Sequence, residues 1–162
     1  MNFSALRNAG AAIQRAPNGA VRTCIVSKIF IDTNILAYAI DRREQKKRKK
    51  CASLLKSLEV KNQGVISTQI LQELYVVGVK KLGMEPLVVK ESLHLLENFE
   101  VVVVTPALIR EAIDCHLLNK ISFWDALVIV SAESARCEKL WTEDLNAGQV
   151  IRGVSVENPL VS

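Results

Sequence analysis

A chain of 162 residues suits one globular domain, and its 49% hydrophobic and 23% charged residues exclude both a disordered chain and an integral membrane protein. Apolar runs such as Ala126 to Val130 and Val101 to Val104 fall far short of the roughly 20 residues that span a bilayer, so no membrane partner is expected. The net charge of +4 is unevenly spread: residues 1–27 hold three arginines and no acid, residues 28–50 hold eight bases against three acids, and the remainder is net acidic. A mildly acidic body thus carries a basic patch and a basic tail.

Residues 1–27 contain Arg7, Arg15 and Arg22 but no continuous apolar stretch of the kind a secretory signal needs. They are expected to be a disordered N-terminal extension, or an upstream start, ahead of a single domain over residues 28–162. An Arg-rich, acid-free composition also suits an organellar transit peptide, although Pro17 and Gly19 would break an amphipathic helix there. The four cysteines (Cys24, Cys51, Cys115, Cys137) form no C-x-x-C pair, and His94 and His116 are the only histidines. No zinc site has the right spacing, and a reducing, cytoplasmic setting is expected.

From Lys28 onward, short β-branched runs alternate with stretches of helical period, which predicts an α/β fold with a mostly parallel sheet. Ile29-Phe30-Ile31 reads as a buried strand ending at Asp32, with Thr33 or Asn34 capping a short helix. A second helix is expected over Glu44 to Leu58, burying Cys51, Leu54, Leu55 and Leu58. Val65-Ile66 is the next strand. Thr68 to Leu82 then carries the stripe Ile70, Leu71, Leu74, Val77 and stops at Gly83. Pro86 opens a helix at its first position that carries Leu87, Leu93, Leu96 and Phe99, and the unbroken run Val101 to Val104 predicts a central strand. Thr105-Pro106 reads as N-cap and first residue of a further helix. Ser122 to Arg136 is apolar on nearly every side and should be packed on several faces, with Trp124 buried as well as Trp141. Leu140-Trp141 and Val154 to Val156 complete the expected strands.

Ligands of doubly wound sheets gather beyond the carboxyl ends of the strands, and carboxylates dominate that end of this sequence. Asp32 follows the first strand, Glu73 lies in the second turn after Val65-Ile66, Asp125 opens the most buried helix, and Asp144 follows Leu140-Trp141. Each has an ordinary explanation: a turn or cap for Asp32, a capping box Ser122-x-x-Asp125, a solvated helix acid for Glu73, a loop residue for Asp144. Four acids gathered at one end would raise one another's pKa values unless cations offset them. Oxygen donors without His or Cys select Mg²⁺ or Mn²⁺, which can activate water and neutralise a phosphodiester. The dense run Arg42, Arg43, Lys46, Lys47, Arg48, Lys49, Lys50 offers a polyanion a path, or is simply a solvated surface. With Tyr38 and Tyr75 the best-placed aromatics, backbone-led binding is favoured over base stacking.

These residues carry a family resemblance. Ile29-Phe30-Ile31-Asp32-Thr33-Asn34, Gln69-Ile70-Leu71-Gln72-Glu73-Leu74, Ser122-Phe123-Trp124-Asp125-Ala126-Leu127 and Leu140-Trp141-Thr142-Glu143-Asp144-Leu145 resemble, in order and spacing, the four signatures of PIN-domain nucleases, and best the VapC-like toxin ribonucleases of type II toxin–antitoxin systems. The resemblance implies a three-layer α/β/α fold with a mostly parallel central sheet and Mg²⁺- or Mn²⁺-dependent endonucleolytic cleavage of RNA. It also implies a catalytic quartet of Asp32, Glu73, Asp125 and Asp144. Asp32, Asp125 and Asp144 would hold the metal, Glu73 would orient the attacking water, and Thr142 and Asn34 would support the site. Glu143 competes with Asp144 for the fourth place. A cognate antitoxin and a homodimer are further implications. Two rivals stand beside this reading: a PIN-like module that binds RNA or protein without cutting, and a haloacid-dehalogenase-type phosphatase with Asp32 as nucleophile. The phosphatase generally wants a second acid where Asn34 stands.

Overall fold

The computed structural model describes residues 27–61 and 63–161; the expected N-terminal extension, Ser27 apart, lies outside them. β1 (Ile29–Ile31) buries Phe30 and Ile31 completely, as a strand covered on both faces must. It pairs in parallel with β2 (Gly64–Ser67) on one side and β4 (Lys139–Trp141) on the other. The described strands form one sheet of order β3-β2-β1-β4-β6-β5. β3 (Glu100–Val102) and β6 (Val154–Glu157) are also parallel to their neighbours, while β5 (Val150–Ile151) runs antiparallel to β6.

Helices connect the parallel strands. α1 (Thr33–Ile40) and α2 (Gln45–Lys61) lead from β1 to β2, α3 (Thr68–Val76) and α4 (Pro86–Leu96) lead to β3, and α5 (Pro106–Asn119) and α6 (Phe123–Ser134) lead to β4. The chain therefore first builds outward from β1 through β2 to β3, then returns to lay β4 on the other side of β1. That reversal opens a crevice between the carboxyl ends of β1 and β4, where ligands of such sheets bind. β2 is buried at all four positions and α6 along Ala126–Ala132, so helices cover both faces of the sheet. The predicted α/β architecture with a mostly parallel sheet is the observed one. Cys51, Cys115 and Cys137 are free thiols in the interior, where burial pushes the Cys137 thiol up to about 12. Among the described residues, no helix is long and apolar enough to cross a membrane.

Several local expectations need correction. Asp32, not Thr33 or Asn34, is the N-cap of α1, its side chain accepting from the Thr33 N–H at 2.6 Å. The run expected as a central strand is the edge strand β3, and Val103 beyond it is 63% exposed. A β-branched run specifies a strand but not its neighbours. The single helix expected over Thr68–Leu82 changes at Val77 into a π-helical turn, Val77–Lys81, with the Leu82 N–H reaching the Val77 carbonyl at 3.0 Å. On α4, Val89, Leu93 and Leu96 turn inward while Leu87 is exposed. β5 was not foreseen. It is made by a two-residue turn in which Arg152 and Gly153 both have positive φ, the geometry that matches strand twist in tight hairpins.

Candidate active site

Asp32 sits where β1 passes into α1, and its carboxylate serves two purposes. One oxygen caps α1; the other, Oδ2, accepts the Thr142 hydroxyl at 2.6 Å and the Asn34 amide at 3.1 Å. Thr142 follows β4, so these bonds tie the ends of the two strands that flank the crevice. The Asn34 amide nitrogen also lies 3.0 Å from the Thr142 hydroxyl oxygen and 3.0 Å from Asp144 Oδ2. The Thr142 hydroxyl oxygen in turn accepts the Asp144 backbone N–H at 3.0 Å. Asp32 and Asp144, 112 residues apart in sequence, thus share a single amide donor. Burial pushes the Asp32 carboxyl up to about 6, against the pull of the Thr142 hydroxyl and the Thr33 N–H; the negative charges of Asp144 and Glu73 add to the rise.

Glu73 comes from the second turn of α3. Its two oxygens are held separately, one by the Thr33 hydroxyl at 2.6 Å and the other by the Gln69 amide at 2.8 Å. Gln69 is four residues earlier on α3, one turn along the same face, and its amide also reaches the Trp124 carbonyl at 3.3 Å. This places the first turn of α6 against the site. Asp125, the next residue, has its Oδ2 on the Ser122 hydroxyl at 2.7 Å while Ser122 Oγ accepts the Asp125 N–H at 3.0 Å. That is the serine half of the capping-box arrangement. Asp32 is thus linked to Asp144 through the Asn34 amide and feels the charge of Glu73, while Asp125 is bonded to Ser122.

Glu143 and Asp144 point differently. Glu143 is bonded by the Tyr38 hydroxyl and lies 3.8 Å from the Lys47 ammonium, which itself stands 4.0 Å above the Tyr38 ring. Asp144 is therefore the residue directed at Asp32, and Glu143 belongs to the wall beside it. Together these groups border a cleft of about 650 Å³ lined by Asn34, Tyr38, Arg43, Glu73, Lys81, Trp124 and Asp144 among others. Trp124 is 61% exposed, contrary to expectation. Apolar periodicity cannot mark the one ring that a helix N-terminus leaves at a cleft edge.

The basic run divides in the structure. Arg43 lines the cleft and is bidentate to Asp41 at 2.8 to 3.2 Å, an arrangement that holds the Asp41 carboxyl down at about 2. Lys47 is engaged with Tyr38 and Glu143, and Lys50 donates to the Leu160 carbonyl at 3.2 Å. Arg42, Lys46, Arg48 and Lys49 are exposed or half-buried on the loop and α2. Lys81 lines the cleft although no signal in the sequence marked it. The π turn decides where it points, and helical period does not reveal such a turn. Gln69 was missed as well; its spacing of four from Glu73 was the available signal.

The donor set suits a hard divalent cation. It consists of oxygens without His or Cys, and an amide nitrogen with only two hydrogens stands among three oxygens at 3.0 to 3.1 Å, while the Asn34 carbonyl oxygen is buried without a partner. Those oxygens are of the kind a hard cation takes. Among the described residues, no three Asp, Glu, His or Cys side chains stand close enough to hold a metal by themselves.

A family model for the PIN domain matches residues 29–152, from β1 to the β5–β6 turn. Among solved structures, the fold is similar to that of a VapC toxin of Mycobacterium tuberculosis that cleaves the sarcin-ricin loop (TM-score 0.61, 18% identity, covering 72% of this chain and 90% of that one). It is similar also to a toxin–antitoxin complex from Klebsiella pneumoniae (0.60, 24%, 82% and 98%) and to a VapBC complex from Rickettsia felis bound to a DNA fragment from its promoter (0.60, 21%, 80% and 97%). A search of curated proteins gives no match. With the family model spanning β1, the crevice and β4, and the sheet order that places Asp32 beside Asp144, the chain belongs to the PIN-domain family.

Proposed function

We propose that this protein is a Mg²⁺- or Mn²⁺-dependent endoribonuclease, the toxin of a VapBC-type pair. The carrying observation is the pairing of Asp32 with Asp144 through Asn34 at the switch point of the sheet, with Glu73 fixed beside them. Asp32 and Asp144 would hold the ion, with Asp125 as a third acid from the first turn of α6 once it leaves Ser122. When bound, the ion activates water and offsets charge on the phosphodiester.

The chain's own residues do the rest. Thr33 and Gln69 hold both oxygens of Glu73, so its carboxylate is fixed for orienting the attacking water and taking its proton. Thr142 and Asn34 set the orientation of the Asp32 and Asp144 carboxylates. Arg43 and Lys81 supply positive charge along the cleft, which draws in an RNA backbone that bare carboxylates would repel. Water as nucleophile dispenses with the 2′-hydroxyl, so products carry 5′-phosphate and 3′-hydroxyl ends. A cognate antitoxin as inhibitor, a homodimer and a cytoplasmic setting complete the proposal.

The test is cleavage of structured RNA with and without Mn²⁺. Wild type is expected to cut only with the metal, and Asp32→Asn is expected to keep its fold and lose at least ~100-fold in rate, an electrostatic loss of about 3 kcal/mol. Undiminished Mn²⁺-dependent cutting by that variant would sink the assignment. RNA binding by the wild type with no cutting at any Mn²⁺ concentration would instead favour the non-cleaving module.

A further inference from the structure

The geometry points to a nucleotide-binding subsite next to the carboxylates: a second hollow that takes a base of the RNA flanking the scissile phosphate, with Lys81 on that nucleotide's phosphate. This rests on the proposed action on RNA and adds where a neighbouring nucleotide lies.

Continuity with the cleft comes first. The second hollow, of about 370 Å³, shares Asp41, Arg43 and Leu82 with the carboxylate cleft, so the two adjoin at Arg43. Its lining changes character there. Ile40, Leu82, Met84 and Val88 give it an apolar floor, and Arg42 and Glu85 stand at its edge, with Glu85 far in sequence from the shared Arg43. An apolar floor with cations at the rim matches a base with its phosphate, since a base presents a flat π-face and the phosphate a charge.

The cations in and around the carboxylate cleft are not equivalent: Arg43 lies where the two hollows meet, while Lys81 lines the cleft one residue before the shared Leu82. Arg43 is committed to Asp41 through two guanidinium nitrogens, and Lys47 to Tyr38 and Glu143. Lys81 makes no hydrogen bond or ion pair among the described residues; its charge acts on Asp41 at longer range. It is therefore available for a phosphate at no cost in broken contacts. Its position is set by the π turn, which leads into Leu82 and the positive-φ Gly83. Such turns inside helices often occur at functional positions. The fold maintains this one by close packing: a Cβ on Gly78 would come within 2.9 Å of Val89 Cγ2, so α4 crosses directly over the turn. Val88, adjacent to that crossing, lines the hollow.

The experiment measures fluorescence anisotropy of a length series of labelled, mixed-sequence oligoribonucleotides with the full chain in an Asp32→Asn background, so that nothing is cut. Adding Lys81→Ala is expected to lower the slope of log affinity against log salt by roughly 0.7, the value for one lost single-strand phosphate contact. Adding Val88→Glu, a half-exposed position, is expected to weaken the longer oligonucleotides at least tenfold and to leave the shortest ones that bind unchanged. Circular dichroism checks the fold, and if Val88→Glu does not fold, Arg42→Ala, exposed and lining only the second hollow, is read in its place for the same loss on the longer oligonucleotides. An unchanged slope for Lys81→Ala overturns the subsite. So does binding of the longer oligonucleotides that a folded Val88→Glu leaves unchanged, since the hollow then holds no part of the RNA. Wild-type protein assayed in parallel separates the two claims: no Mn²⁺-dependent cutting together with the expected slope change removes the nuclease reading and keeps the subsite.

Discussion

Asp32 shows how one side chain serves fold and site together, at an energetic cost. It caps α1 and faces Thr142, Asn34 and, at longer range, Asp144 and Glu73, with only 8% of its surface exposed. A carboxyl held at about 6 when folded and near 3.8 otherwise keeps its proton longer in the native state. Folding is therefore favoured below the lower value, and that contribution is lost as pH rises through about 6. In EDTA, wild type should lose roughly 1 kcal/mol relative to Asp32→Asn between about pH 5 and pH 7.5 in urea melts. Parallel pH profiles for the two proteins would contradict the burial argument. Asp125 poses a different question, because its bonds to Ser122 account for it as a cap partner. Ser122→Ala should cost about 1 kcal/mol of stability and leave RNA cleavage nearly intact, whereas Asp125→Asn should remove most of the cleavage. Equal, small effects of the two on rate would reduce Asp125 to its structural role.

At the scale of elements, two glycines set how closely the layers approach. A Cβ on Gly64 of β2 would stand 2.3 Å from Phe99 Cδ1, so the Phe99 ring lies directly on the strand backbone. Gly64→Ala should destabilise by about 1 to 3 kcal/mol in thermal or urea unfolding, the usual range for overpacking. Combining it with Phe99→Leu should cost less than the sum of the two, because both act on one contact; strict additivity would show that the ring moves aside freely. Gly78 plays the matching part between the π turn and α4. There the turn carries the functional consequence, since it brings Lys81 to the cleft.

For the whole molecule, a divalent ion that binds the native state alone must raise stability by mass action. Mn²⁺ should raise the melting temperature of wild type in a concentration-dependent way and leave that of Asp32→Asn almost unmoved; equal shifts in both would place the ion elsewhere. The net charge of +4 says little about such binding, because the bases around the cleft are partly consumed by Asp41 and Glu143. Much of the molecule was legible in the chain alone. Alternating β-branched and helical-period segments specified an α/β fold, Thr105-Pro106 marked a helix start to the residue, and acids at segment junctions pointed to the proposed quartet Asp32, Glu73, Asp125 and Asp144, of which Asp32, Glu73 and Asp144 are electrostatically coupled in the structure. Local chemistry carries those signals: side-chain period, capping geometry and the sign of charge. What remained was decided between elements distant in sequence. The edge position of β3, the exposure of Trp124, the different partners of Glu143 and Asp144, and the arrival of Lys81 in the same cleft as Arg43 all depend on which segments the sheet order places side by side. A residue's own neighbours along the chain cannot encode that, because it follows from packing every segment into one core at once.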